Sequence, residues 1–216
     1  KNTILWFCSD NGGLKKIQPE TVGGLKGFKG SLWEGGIRVP AIIEWPSIIK
    51  HKITSFPAST MDIFPTIADI LGLTESDIQG PIDGISLLSI FNSNIDKRNS
   101  PIPFRIDDKG ALIDNNFKLV ATSREEFKFE LYDLQADPKE TNDISSVNQD
   151  KFQELITSYL NWNNSVDRSV EGKDYKEGHL LPQPERHFWM KDDRYIPYME
   201  ELIRRPEYEE RIKKAR

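Results

Sequence analysis

Cysteine is nearly absent: Cys8 stands alone among 216 residues. It closes no internal disulfide and builds no thiolate metal site unaided. Positive charge is not in excess either, with 29 Lys and Arg against 34 Asp and Glu and a formal net charge of -5. That balance argues against a general nucleic-acid binder, because phosphate affinity needs a basic face. No apolar run approaches the ~18 residues that a membrane span requires. The 14 glycines and 13 prolines follow no collagen-like period. What remains is 37% hydrophobic and 10% aromatic, enough for one good-sized domain or two small ones. The chain starts at Lys1 and runs at once into Asn2-Thr3-Ile4-Leu5-Trp6-Phe7, which reads as a core strand, so the 216 residues are expected to be a piece of a longer protein.

Thr3 to Cys8 is short and continuously apolar, the pattern of a strand buried on both faces of a parallel sheet. It ends at Ser9-Asp10-Asn11-Gly12-Gly13, where open α/β sheets place their ligands. Glycines then punctuate the chain at 23, 24, 27, 30, 35 and 36, which predicts a loop shaped around a site. Val39 to Pro46 reads as a second strand. Met61 to Leu71 reads as a helix with Asp62 as N-cap, an apolar face of Ile63, Ile67, Ile70 and Leu71, and Gly72 as C-cap. Phe117 to Ala121 and Phe127 to Tyr132 alternate like half-exposed antiparallel strands. From Gln149 to Val166, Phe152, Leu155, Ile156, Tyr159 and Leu160 recur at helical spacing and predict a helix covering that small sheet. The tail from Asp167 is expected to end in helical turns near Tyr198 to Ile203 and Glu207 to Lys214, split by Pro206. These elements divide into residues 1–103 (an α/β portion), 104–166 (a small antiparallel sheet plus helix) and 167–216 (a tail).

Two constellations carry chemistry. Asp10 and Asn11 offer hard oxygen ligands for calcium or magnesium, although Asp-Asn-Gly-Gly is also an ordinary turn. Lys29, between Gly27 and Gly30, is either a solvated loop lysine or a compact cation aimed at a tetrahedral oxyanion. Glu34 and Arg38 are expected to form a structural ion pair, and Cys8 to be a small buried hydrophobe.

The segment Ser9-Asp10-Asn11-Gly12, followed by Leu25-Lys26-Gly27-Phe28-Lys29-Gly30-Ser31-Leu32-Trp33-Glu34-Gly35-Gly36-Ile37-Arg38-Val39-Pro40, resembles the carboxyl-terminal half of the formylglycine-dependent sulfatases of the alkaline-phosphatase superfamily. Trp45-Pro46, Asp62-Ile63-Phe64-Pro65-Thr66, Asp83-Gly84-Ile85-Ser86-Leu87 and Glu130-Leu131-Tyr132-Asp133-Leu134 with Asp137-Pro138-Lys139-Glu140-Thr141-Asn142 match in the same order. The resemblance implies an α/β fold, part of an alkaline-phosphatase-like mixed sheet with flanking helices, plus a small carboxyl-terminal α+β subdomain. It implies that Asp10 and Asn11 ligate one divalent cation, calcium, and that Lys29 contacts the substrate sulfate. It also implies a sulfated small molecule or carbohydrate as substrate and a periplasmic or secreted location. The family's Cys/Ser-x-Pro-x-Arg nucleophile motif is not found: Cys8 is followed by Ser9-Asp10-Asn11, and the position two before Pro103-Phe104-Arg105 is Pro101. The nucleophile and the remaining ligands are therefore expected in a preceding amino-terminal half, and this chain by itself is expected to be inactive. His51 reads as a surface residue, while His179 and His187, near Arg186 and Trp189, are candidates for the edge of a sugar site. A phosphodiesterase or phosphonate hydrolase of the same superfamily, and a non-catalytic binding module, are the competing readings.

Overall fold

In the computed structural model the described residues are 2–14, 21–78, 80–174, 188–205, 208–209 and 212–213. The chain divides into two compact units, Lys1–Val170 and Glu171–Arg216.

The first unit opens with strand β1, Leu5–Cys8. After the short helix α1, Glu34–Ile37, strand β2, Ala41–Glu44, returns antiparallel to β1, with Phe7 opposite Ile42 and Trp6 opposite Ile43. The parallel, doubly buried strand expected from the apolar run is thus replaced within this chain by a two-stranded antiparallel ribbon. One face, carrying Trp6 and Ile43 with Ile4 and Trp45, packs against a core of Phe56, Leu87, Ile90 and Phe91. The other face is open: Leu5 is 58% exposed, Phe7 57% and Ile42 62%. Cys8 is a half-buried free thiol.

Helix α2, Ile63–Ile70, follows a 3-10 turn over Thr60–Asp62. Asp62 stands at its N-cap position, as expected, but its side chain makes no cap bond to the helix. Ser59 caps the turn, and Asp62 answers by accepting from the Ser59 backbone N–H at 2.8 Å. The buried helix residues are Thr66, whose hydroxyl accepts the Leu87 N–H at 2.9 Å, and Ala68; Ile70 of the predicted face packs against the Leu87 core, while Leu71 stays exposed. Gly84 lies so close to Met61 that a Cβ there would come within 2.1 Å of its carbonyl oxygen. Gly72 ends the helix at φ +69°, as its C-cap position predicts. Helix α3, Leu88–Asn92, then supplies Ile90 and Phe91 to the same core.

The small sheet is an antiparallel meander of four strands: β3, Ile102–Ile106; β4, Lys109–Asp114; β5, Phe117–Ser123; and β6, Lys128–Asp133. Helix α4, Gln149–Val170, lies on one face of it. Leu155 and Tyr159 of α4 pack on Leu112, Leu119, Ala121 and Leu131, so the i, i+3, i+4 pattern of the sequence marks the real contact face. The opposite face meets the glycine-rich segment, where Trp33 stacks edge-on against Tyr132 with ring centroids 5.7 Å apart. Covered on both sides, β5 is buried from Lys118 to Ala121, not half-exposed as its alternation suggested.

In the second unit, 3-10 turn Ile196–Tyr198 runs into helix α5, Met199–Leu202, near the predicted helical turns. Trp189 meets Tyr208 edge-on at 5.8 Å. His179, Arg186, His187 and Pro206 lie outside the described residues. Among the described residues no helix is long and apolar enough to cross a membrane.

Candidate active site

Two backbone hydrogen bonds assemble the site. The Gly12 N–H donates to the Gly36 carbonyl at 2.9 Å, and the Lys29 N–H donates to the Gly13 carbonyl at 2.8 Å. These bonds lace the turn after β1 to the glycine-rich segment, so Asp10, Asn11 and Lys29, far apart in sequence, share one surface. The approach is close enough to demand glycine. A Cβ on Gly12 would lie 2.0 Å from the Gly35 carbonyl oxygen, and one on Gly36 would lie 2.3 Å from that of Ser31. Gly27 and Gly30 adopt φ +82° and +88°, flanking Lys29 with conformations L side chains rarely take.

Asp10 and Lys29 are exposed, and Asn11 is half-buried. The Asn11 amide donates to the Asp10 carboxylate, and this bond, aided by the positive charge of Lys29, holds the Asp10 carboxyl below its ordinary range. Among the described residues Lys29 forms no ion pair, which leaves its ammonium group available to an external anion. Oxygen donors of Asp10 and Asn11 suit calcium or magnesium in kind but not in number, since such ions take six to eight oxygens. Among the described residues no cluster of three or more His, Cys, Asp or Glu side chains stands ready for a metal. His51 is exposed, in keeping with a surface role.

The same glycine-rich segment contributes Glu34 to a buried charge cluster that sequence reasoning missed. Lys118 of β5 is fully buried, with its ammonium nitrogen 3.0 Å from Glu34 Oε1 and 2.7 Å from Glu140 Oε1. The other oxygen of Glu140 accepts the Glu34 backbone N–H at 2.7 Å. Burial pushes the Glu140 carboxyl above its ordinary range, against the pull of Lys118. Glu34 therefore points to Lys118, and the expected partner Arg38 is more than half exposed at 3.8 Å. Beside the cluster, Lys26 sits 3.4 Å from the Trp33 ring centroid and donates to the Glu140 carbonyl at 3.1 Å. That pairing of a cation with an aromatic face and a carbonyl removes Lys26 as a rival anion contact. The only sequence signal for Lys118 was a lysine inside an apolar strand, which alternation assigns to solvent.

The turn after β1 and the glycine-rich segment thus bring one lysine, one carboxylate and one carboxamide onto a common surface. A family model described as Sulfatase matches residues 1–73. A sulfatase of Formosa agariphila is 31% identical over 190 residues, covering 77% of this chain and 32% of its own length. Human steryl-sulfatase is 41% identical over 100 residues, 41% of this chain and 16% of its own. Among solved structures, that of Ps i-CgsB, also solved with k-i-k-neocarrahexaose, superposes with a TM-score of 0.63 at 28% identity over 74% of this chain and 36% of that one. In sequence and in fold the chain is similar to the sulfatases. It spans about a third of the length of the Formosa relative and less of steryl-sulfatase.

Proposed function

We propose that this chain is the carboxyl-terminal part of an enzyme that hydrolyses sulfate esters. The observation that carries the reading is the pair of backbone bonds that brings Asp10 and Asn11 onto one surface with Lys29. Lys29 contacts the sulfate and offsets negative charge on its peripheral oxygens as the bond from sulfur to the ester oxygen breaks. Asp10 and Asn11 contribute two oxygens to one divalent cation, calcium. When bound, that cation polarises the sulfuryl group. The nucleophile and the other ligands come from outside these residues, so the chain by itself turns over no substrate.

A sulfated carbohydrate is the substrate class we favour. Ps i-CgsB, at 28% identity, has been solved with an oligosaccharide, which supports a sugar scaffold over a simple aryl sulfate. Family resemblance also favours a periplasmic or secreted setting.

The test is sulfate release by a protein in which this chain is joined to the segment encoded before Lys1. Lys29→Ala is expected to lower kcat/KM by about 100-fold or more, the scale for losing one transition-state charge contact. Lys29→Arg is expected to recover part of that loss. Turnover by the 216-residue chain alone, abolished by Lys29→Ala, would show that the missing-nucleophile reading is wrong.

A further inference from the structure

The segment that carries Lys29 doubles back on itself. At its base the Gly35 N–H donates to the Lys26 carbonyl at 2.8 Å, and at its tip the Ser31 N–H donates to the Phe28 carbonyl at 2.9 Å. Gly36 lies against that tip, since a Cβ there would come within 2.6 Å of the Phe28 carbonyl oxygen. Lys29 therefore stands in a closed turn, with Lys26 and Glu34 at the two ends of the base. Both ends are tied to Glu140. Its carboxylate Oε2 accepts the Glu34 backbone N–H at 2.7 Å, and its own carbonyl accepts the Lys26 ammonium group at 3.1 Å.

Glu140 makes these two bonds from φ +55°, a left-handed conformation that is costly for a residue with a Cβ. The surrounding turn enforces it. The Asp137 carboxylate accepts the backbone N–H groups of Thr141 at 2.7 Å and Asn142 at 2.8 Å, and the Glu140 N–H donates to the Asp137 carbonyl at 3.1 Å. From β5, fully buried Lys118 holds Glu140 at 2.7 Å and Glu34 at 3.0 Å. Strained backbone and a buried ion cluster are both poor routes to net stability, and what they secure here is the position of the loop base.

We propose that Glu140 is a positioning residue of the sulfate site: by clamping Lys26 and the Glu34 N–H together, it sets where Lys29 stands relative to Asp10 and Asn11. The link to that pair runs through Gly36, two residues beyond Glu34, whose carbonyl accepts the Gly12 N–H at 2.9 Å. Glu140 is fully buried and touches no substrate, so it acts through Lys29. The inference rests on the reading of Lys29 as the sulfate contact.

The test is a double-mutant cycle in the protein that joins this chain to the segment encoded before Lys1, read as kcat/KM for sulfate release. Glu140→Ala removes the acceptor of the Glu34 N–H. It is expected to lower kcat/KM about tenfold or more when Lys29 is present, and by less than about twofold in a Lys29→Ala background. Glu140→Gln keeps that acceptor and is expected to stay within about threefold of wild type. Arg98→Met, which removes the buried partner of Asp62, destabilises the fold without touching the clamp and is expected to leave kcat/KM of the folded enzyme unchanged. Hydrogen exchange across residues 26–36 is expected to quicken in Glu140→Ala and not in Glu140→Gln. Should Glu140→Ala fail to fold, Glu140→Asp replaces it with the same expectations, because aspartate tolerates a positive φ and keeps a charge near Lys118 but is one methylene short of the Glu34 N–H. Equal losses in both backgrounds, or no loss with Lys29 present, overturn the positioning role. If Lys29→Ala alone keeps wild-type activity, the sulfate reading falls and this inference with it; if Lys29→Ala is impaired and Glu140→Ala is not, this inference falls alone.

Discussion

Two buried ionic centres hold the first unit together, and they are built on opposite plans. Around Asp62 the charges balance. Arg98 reaches it with two parallel bonds of 2.7 and 2.8 Å, and the backbone N–H groups of Ser59 and Ile85 donate at 2.8 Å each. One anion meets one cation, and four donors saturate the carboxylate. Around Lys118 they do not balance, since two buried carboxylates share one ammonium group and Glu140 is pushed toward its protonated form. The first centre ties α2 to the Gly84–Ile85 turn and the segment before β3, and is a saturated lock. The second ties the glycine-rich segment to the small sheet, and its strength depends on proton occupancy. The sulfatase-like motifs around Glu34 and around Glu140 thus meet at a single lysine.

The comparison is sharpened most by removing each cation. Lys118→Met leaves buried Glu140 without a counterion and Glu34 with only the exposed Arg38 at 3.8 Å, and a loss of about 3–5 kcal/mol at neutral pH is expected from denaturant unfolding. That loss is expected to shrink as the pH falls and Glu140, whose carboxyl is pushed up by burial, takes up a proton. Arg98→Met is expected to cost less, about 3 kcal/mol, because the backbone N–H groups of Ser59 and Ile85 still serve Asp62. Equal losses with equal pH profiles would erase the distinction between the centres.

A finer test is Glu140→Gln, which keeps an acceptor for the Glu34 N–H and leaves one carboxylate for one lysine. A change within about 1 kcal/mol is expected. The pH profile is more telling. A carboxyl whose folded value is raised binds its proton more tightly in the folded state, so stability falls as pH rises from the unfolded value of 4.5 through the folded one. Wild type is expected to show that decline and Glu140→Gln to lack it. A wild-type profile flat across the acidic range would mean that Lys118 fully offsets burial.

How far the sequence foretold this depends on which signal each residue carries. Helix α4 was readable because five apolar residues share one side of a 3.6-residue period, and only a partner sheet explains that. Asp10, Asn11 and Lys29 were readable as candidates because glycines beside them imply close backbone approach, and the Gly12 and Gly36 contacts are that approach. Lys118 was not readable. A period-two pattern distinguishes two faces of a strand but cannot say that both are covered, and the covering segment lies some 80 residues earlier. Asp62 was placed correctly on the helix start but given the smaller of its roles, because the Arg98 contact is long-range. The β1 run likewise announced a strand but not its direction or its neighbours.

The β1–β2 ribbon has a practical consequence for anyone handling this chain. Two strands alone are marginal in water, and here their outward side presents Leu5, Phe7 and Ile42 between two edges that pair with no other strand among the described residues. Such a surface recruits copies of itself. In a preparation of these 216 residues, colloidal behaviour will set the usable concentration before any chemistry is measured, and a charged residue at Phe7 is the single change best suited to raise it.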